Sequence, residues 1–129
     1  MNLSWLQIAL VAGGGALGSV LRYLAAGTAH RWLPGLMFPV GTLAVNVLGA
    51  LLIGLVGGLA ESRQFLVPEL RVFLLTGCLG GFTTFSAFAF ESLGLALDAA
   101  WGRLALNVIA QLVLGLGAAV AGYALGRAV

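Results

Sequence analysis

"VGTLAVNVLGALLIGLVGGLA", residues 40 to 60, contains no charged side chain. A helix rises about 1.5 Å per residue and a bilayer core is about 30 Å thick, so about 20 apolar residues suffice to cross it. Across the whole chain 61% of residues are hydrophobic and 8% are charged, which leaves too little polar surface for a soluble domain. The sequence therefore predicts an all-α integral membrane protein.

Three other charge-poor runs have a similar length. Together they predict four transmembrane helices, at approximately 5–26, 40–60, 72–97 and 104–125, in a single transmembrane domain covering residues 1–129. The connecting stretches "HRWLPGLMFP", "ESRQFLVPELR" and "DAAWGR" carry all three prolines, as expected of loops. A cleaved signal peptide is not expected, because no basic residue precedes the first run and Arg22 interrupts it.

The basic residues are divided evenly between the two sides of the predicted membrane domain. Four spans place both termini and the middle loop on one side. That side holds Arg63, Arg71 and Arg127, and the other holds Arg22, Arg31 and Arg103, with no lysine anywhere. Since the Lys/Arg bias sets orientation, either the chain inserts both ways and forms an antiparallel dimer, or a local charge or a partner decides its orientation.

Glycines recur four residues apart in every predicted helix. Small residues at this spacing let helix backbones approach closely in lipid. We therefore expect the helices to pack tightly with one another or with a second copy. The pairs are Gly14 and Gly18, Gly54 and Gly58, Gly77 and Gly81, and Gly122 and Gly126.

No catalytic constellation is visible, and the sequence predicts that the protein is not an enzyme. The one histidine, His30, falls in a predicted loop, and the one cysteine, Cys78, stands alone in the third span. "GGGALG" at 13–18 fits G-x-G-x-x-G in form only, because no strand precedes it and the next acid, Glu61, is too distant for a ribose contact. No nucleophile has a neighbouring base.

Polar residues at membrane depth are the main functional candidates, because they are costly there. Thr42, Asn46 and Gly49 share one face of the second helix. Asn107 and Gln111 lie one turn apart on the fourth. The third span adds Thr76, Thr83, Thr84, Ser86, Glu91 and Ser92. These groups either join helices by structural hydrogen bonds or line a path through one small bundle; Glu91 either tunes a pore or makes a structural bond.

"GGFTTFSAF", residues 80 to 88, predicts a break in the third helix near mid-membrane. Gly80 and Gly81 followed by Thr83 and Thr84 form helix poorly. Backbone groups freed at that depth must be satisfied by protein, water or an ion. Carbonyl oxygens freed in this way suit a bare alkali cation, and freed amides suit an anion. The alternative is a simple kink whose backbone groups are satisfied locally.

Phe85 and Phe88 follow this break and, three residues apart, share a helix face. An aromatic ring edge carries positive quadrupole charge. Beside amide donors such as Asn46, two ring edges would line a narrow path for a small anion. The alternative is ordinary aromatic packing.

Three segments carry a resemblance to a known family. "GGALGSVLRY" at 14–23, "GTLAVNVLG" at 41–49 and "GCLGGFTTFSAF" at 77–88 resemble, in order and spacing, the signature segments of the CrcB/Fluc fluoride channels. The resemblance covers essentially the entire chain. It implies a multi-pass protein of the inner or plasma membrane, surrounded by lipid and working as an antiparallel, dual-topology homodimer. Its implied function is passive export of cytoplasmic fluoride, which reduces fluoride toxicity.

The resemblance also implies roles for particular residues. Phe85 and Phe88 correspond to pore phenylalanines, Asn46 to the pore asparagine and Arg22 to a first-helix arginine that is structural or attracts ions. Backbone carbonyls of Gly80 and Thr83 from each subunit would hold a structural sodium ion at the dimer centre; no nucleic-acid partner is expected. The predicted fluoride path comprises Arg22, Thr42, Asn46, Phe85, Ser86, Phe88, Asn107 and Gln111.

The chain departs from the family pattern in two places. Ala87 replaces a threonine of the commoner "FSTF", and no serine or threonine follows Ser92, so Asn107 and Gln111 would replace fourth-helix hydroxyl donors. A small multidrug-type exporter is the alternative function, but such exporters resemble one another in a first-helix glutamate, and this first span has Arg22 and no acid. A subunit that only assembles complexes is a third alternative.

Overall fold

The architecture is all-helical in the computed structural model, which describes residues 4–63 and 66–129. Four helical spans in these ranges are long and apolar enough to cross a membrane, which confirms the predicted all-α, four-span class. Three of these spans are continuous helices, and the other, Pro68–Leu97, is divided into shorter segments. The elements are α1 (Trp5–Trp32), α2 (Val40–Arg63), α3 (Pro68–Arg71), a π-helical segment (Val72–Leu79), α4 (Gly80–Phe82), α5 (Phe85–Leu97) and α6 (Trp101–Ala128).

The helices extend beyond the predicted spans. The first was expected to end near residue 26, but α1 continues to Trp32. The prediction that His30 lies in a loop is therefore wrong, because His30 and Arg31 are in the last turn of α1. The predicted ends were set by charged and polar residues, which mark the edge of the apolar layer. The backbone hydrogen bonds of a helix continue beyond that edge into the interface until the chain turns. After α1 the chain turns at Gly35, which has φ 86°.

The third span differs from an ordinary helix in its first half. Val72–Leu79 is π-helical, a form with i to i+5 hydrogen bonds that is rare and usually short. The sequence predicted a regular helix here, since apolar runs do not reveal the hydrogen-bond register. In its second half, Thr83 and Thr84 have extended backbone conformations between α4 and α5.

The glycine faces hold the bundle together, as their spacing predicted. A Cβ placed on Gly54 would collide with the carbonyl oxygen of Ala119, and one on Gly122 with that of Leu51, so α2 and α6 touch backbone to backbone. Likewise, a Cβ on Gly14 would lie 2.6 Å from the Phe73 carbonyl oxygen, which brings α1 against the π-helical segment. The interior is therefore packed mainly through glycine, and most large apolar side chains face outward, as a lipid environment permits.

Candidate functional site

The site is built around the extended residues between α4 and α5. Thr83 has φ −81° and ψ 155°, and Thr84 has φ −150° and ψ 115°. The Thr84 N–H donates to Oδ1 of Asn46 at 2.8 Å, and Nδ2 of Asn46 donates to the Thr84 carbonyl at 3.0 Å. One side-chain amide from α2 thus satisfies both backbone groups of Thr84, which lipid would leave unsatisfied.

A second amide joins this pair from α6. Nδ2 of Asn46 also donates to Oε1 of Gln111 at 3.1 Å, so both hydrogens of the Asn46 amide are engaged. Nε2 of Gln111 is buried and has no hydrogen-bond partner among the described residues. Because a buried unpaired donor is unfavourable, this NH2 group is a candidate ligand for an anion that has lost its hydration shell.

Further polar contacts link α5 to α2 and to α6. Oγ1 of Thr42 donates to Oε1 of Glu91 at 2.6 Å, and Nδ2 of Asn107, a residue with 0% exposure, donates to Oγ of Ser92 at 3.1 Å. Thr42 and Asn46 of α2 and Asn107 and Gln111 of α6 therefore face one interior, as their helical spacing predicted. Glu91 makes a structural bond, while its Oε2 and Oδ1 of Asn107 are buried without a partner in the described part of the chain.

The two phenylalanines lie on the outer side of this cluster. Their rings pack edge to face with centroids 5.4 Å apart and an interplanar angle of 62°, which confirms that Phe85 and Phe88 share a helix face. Phe85 is 77% exposed in a single chain, so one chain alone does not enclose a path beside it. The Ser86 hydroxyl is 3.2 Å from the Thr84 hydroxyl, which caps the start of α5.

The Gly80 and Thr83 carbonyls lack the partners that a continuous helix would supply. In an α-helix these oxygens would accept from the N–H groups of Thr84 and Ala87. Here those groups donate instead to Asn46 Oδ1 and to Thr84 Oγ1. Two backbone oxygens are thereby left available in a segment where hard oxygen ligands suit a sodium ion.

Arg22 lies apart from the Asn46 cluster, in a groove of about 680 Å³ beside α1. The Arg22 side chain is half-buried. Thr42 and Thr84, two residues of the polar contacts described above, also line this groove. None of the lining residues is acidic. Arg22 therefore lines the same groove as Thr42 and Thr84 but lies outside the hydrogen-bonded cluster.

Two important residues were among the polar candidates of the third span but were not assigned to the predicted fluoride path. Thr84 acts through its backbone, which no side-chain pattern reveals, although a threonine before an apolar run is a typical N-cap and does precede α5. Ser92 accepts the hydrogen bond of the buried Asn107. The position of Ser92, one turn after Phe88, did not predict a contact with Asn107.

The fold and the site define a class: a small four-span membrane protein whose polar side chains from three spans meet at an extended turn. The chain belongs to the family described as "CrcB-like protein, Camphor Resistance (CrcB)", whose sequence profile matches residues 9–123.

Several relatives are each named "Fluoride-specific ion channel FluC". One from Nitratidesulfovibrio vulgaris is 51% identical, covering 95% of this chain and 98% of its own length. One from Agrobacterium fabrum is 50% identical, covering 95% and 97%, and one from Maridesulfovibrio salexigens is 48% identical, covering 91% and 92%. These relatives are named as ion channels and not as enzymes, in agreement with the prediction for this chain.

Proposed function

We propose that this protein is a fluoride-selective ion channel that lets cytoplasmic fluoride leave the cell passively across the inner or plasma membrane. The observation that carries the proposal is the Asn46–Thr84–Gln111 cluster, which lies where the family motifs of α2 and the third span meet. High identity to relatives named as fluoride channels, over nearly the full chain, supports the same function.

Selectivity would arise from donors fixed in a narrow, dehydrating path. The Nε2 amide of Gln111, which has no partner among the described residues, offers two N–H donors. A fluoride ion that displaced Gln111 Oε1 from Asn46 would receive a further N–H, from Asn46 itself. The edges of the Phe85 and Phe88 rings would flank the ion with positive quadrupole charge. Larger anions would be excluded because the path is too narrow to admit them.

The channel would work as a homodimer. Phe85 is exposed in the single chain and needs a covering surface if its ring is to line an ion path. The even division of arginines between the two sides supports antiparallel copies of dual topology. A partner copy would then complete each path with residues that one chain leaves facing outward.

A structural sodium ion on the dimer axis is part of this proposal. The Gly80 and Thr83 carbonyls fit it, because the N–H groups that would normally occupy them bind side chains instead. When bound, sodium would supply a positive charge that attracts the negative ends of the carbonyl dipoles from both subunits. Asn46 and the Thr84 hydroxyl keep the segment extended and so hold these carbonyls free.

Efflux from liposomes tests the function. Purified protein is reconstituted in vesicles loaded with fluoride, with chloride, or with a cationic dye and a proton gradient. Fluoride efflux followed with a fluoride electrode should be fast, and chloride efflux should stay at the rate of protein-free vesicles. Equal chloride efflux would contradict selectivity. Proton-driven dye transport would favour the exporter, and no transport would favour an assembly subunit.

Sodium content provides a separate prediction. The dimer, purified and then desalted into a buffer containing only a large organic cation, should retain about one sodium per two chains, because carbonyls enclosed between two copies at mid-membrane would exchange the ion slowly. Elemental analysis of the dimer peak measures this content. A dimer that conducts fluoride yet contains no sodium would contradict the proposed ion site while leaving the channel function intact.

A further inference from the structure

The amide of Asn46 is fixed in one orientation by the backbone of Thr84. Its Oδ1 accepts the Thr84 N–H at 2.8 Å, and its Nδ2 donates to the Thr84 carbonyl at 3.0 Å. Exchanging the oxygen and the nitrogen would place donor against donor and acceptor against acceptor. The second hydrogen of Nδ2 therefore points toward Gln111, whichever end of its own amide Gln111 presents.

Gln111 presents its oxygen in this structure. Oε1 accepts from Nδ2 of Asn46 at 3.1 Å, whereas Nε2 is buried and has no partner in the described part of the chain. The torsion about the last side-chain bond of glutamine is broad and roughly two-fold, so a half turn exchanges the two ends of the amide. Because the observed orientation already leaves a buried donor unpaired, it is not stabilised by a full set of hydrogen bonds.

The turned orientation requires an anion. With Nε2 of Gln111 beside Nδ2 of Asn46, two N–H donors would converge and repel each other if the space between them were empty. A small anion in that space would accept from both, and hydrogen bonds to a charged acceptor are shorter and stronger than neutral ones. The presence of the ion thus decides which orientation is the more stable.

Only a side chain has to move in this change. The backbone of α6 is held against α2 by the close contacts of Gly54 and Gly122. Asn46 keeps both of its bonds to Thr84 in either orientation. The movement is therefore confined to the carboxamide of Gln111.

We infer that Gln111 closes the fluoride path when no ion is present: its oxygen occupies the N–H of Asn46, and its amide turns when fluoride enters, so that both side chains donate to the ion. The inference rests on the proposed function. Chloride is larger and does not fit between the two amides, so the closed orientation persists in chloride. Gln111 thereby contributes to selectivity as well as to the binding of fluoride.

Side-chain NMR of the dimer tests the turn without measuring transport. The chain contains three glutamines, Gln7, Gln64 and Gln111. A protein labelled with nitrogen-15 only in glutamine side chains therefore gives one pair of amide proton signals for each. Gln7→Glu and Gln64→Glu each remove one pair, which assigns the remaining pair to Gln111.

Fluoride should move the Gln111 signals downfield in the wild-type dimer, because the hydrogen bonds to the ion are charge-assisted. Chloride at the same concentration should leave the signals in place. Gln111 signals that do not respond to fluoride, in a protein that conducts fluoride, would overturn the inference.

Gln111→Met tests the closing role by transport. Methionine has a similar length but offers neither the oxygen nor the N–H donors, and Asn46 keeps its bonds to Thr84, so the variant should fold as a dimer. Fluoride efflux from liposomes should fall about tenfold, the effect of losing a hydrogen bond to an ion. Chloride efflux should rise above that of protein-free vesicles, because no side chain then occupies Asn46.

Leu112→Met is the matched control. Leu112 is the next residue of α6 and is 56% exposed, so it lies away from the polar cluster. The control should keep the wild-type rates for both anions. Reduced fluoride efflux without any chloride efflux in Gln111→Met would show that Gln111 donates to the ion but does not close the path, which would refute the inference. Absence of fluoride efflux from the wild type would instead contradict the proposed function.

Discussion

Phe85→Ile or Phe88→Ile is expected to leave the protein folded as a dimer but to reduce fluoride efflux to the rate of protein-free vesicles. Isoleucine retains apolar bulk but has no ring edge to present positive quadrupole charge to an anion. Phe85 is 77% exposed in the single chain. Its replacement should therefore change the free energy of unfolding by only about 1 kcal/mol.

The measurement is efflux from liposomes with a fluoride electrode, combined with size-exclusion chromatography to verify the dimer. Phe90→Ile provides a matched control. Phe90 lies on the same helix and is 76% exposed, but it is not part of the edge-to-face pair. Efflux through the control should be normal. Normal efflux from both the Phe85 and the Phe88 variants would contradict their assigned role.

Gly122→Ala is expected to prevent α2 and α6 from packing. The added Cβ would collide with the carbonyl oxygen of Leu51 and lie 2.9 Å from the backbone nitrogen of Leu55. These are backbone atoms within a helix, so they cannot turn aside as a side chain would. The two helices must separate instead, which should lower the free energy of unfolding by about 1–3 kcal/mol or more. The separation would also break the neighbouring contact between Gly54 and the backbone of α6.

Thermal unfolding in detergent, followed by the loss of the folded peak on size exclusion, measures this effect. Gly117→Ala is the control, since a Cβ at Gly117 on the same helix meets nothing within 4 Å. The control should unfold at the wild-type temperature or slightly above it, because alanine forms helix better than glycine. A Gly122→Ala protein with wild-type stability would show that this helix contact is not needed.

Some sequence predictions are not tested by the structure of one chain. The roles of Asn46, Phe85 and Phe88 toward fluoride, the sodium ion and the antiparallel dimer remain predictions, because each depends on an ion or a second copy. Periodicity did place the polar groups correctly. Thr42 and Asn46 face the third span, and Gln111 meets Asn46, because residues three or four apart in any helix share a face.

The sequence by itself determined the membrane class and the number of spans, because long apolar runs have no stable alternative in lipid. The order of its motifs determined the family. Only the tertiary structure decided that α1 packs on the third span and α2 on α6, that Val72–Leu79 is π-helical, and that Asn46 binds the backbone of Thr84. Apart from the π-helical register, which is local but is not revealed by apolar periodicity, these features arise from groups that meet across long sequence separations. A pattern within one helix contains no information about such contacts.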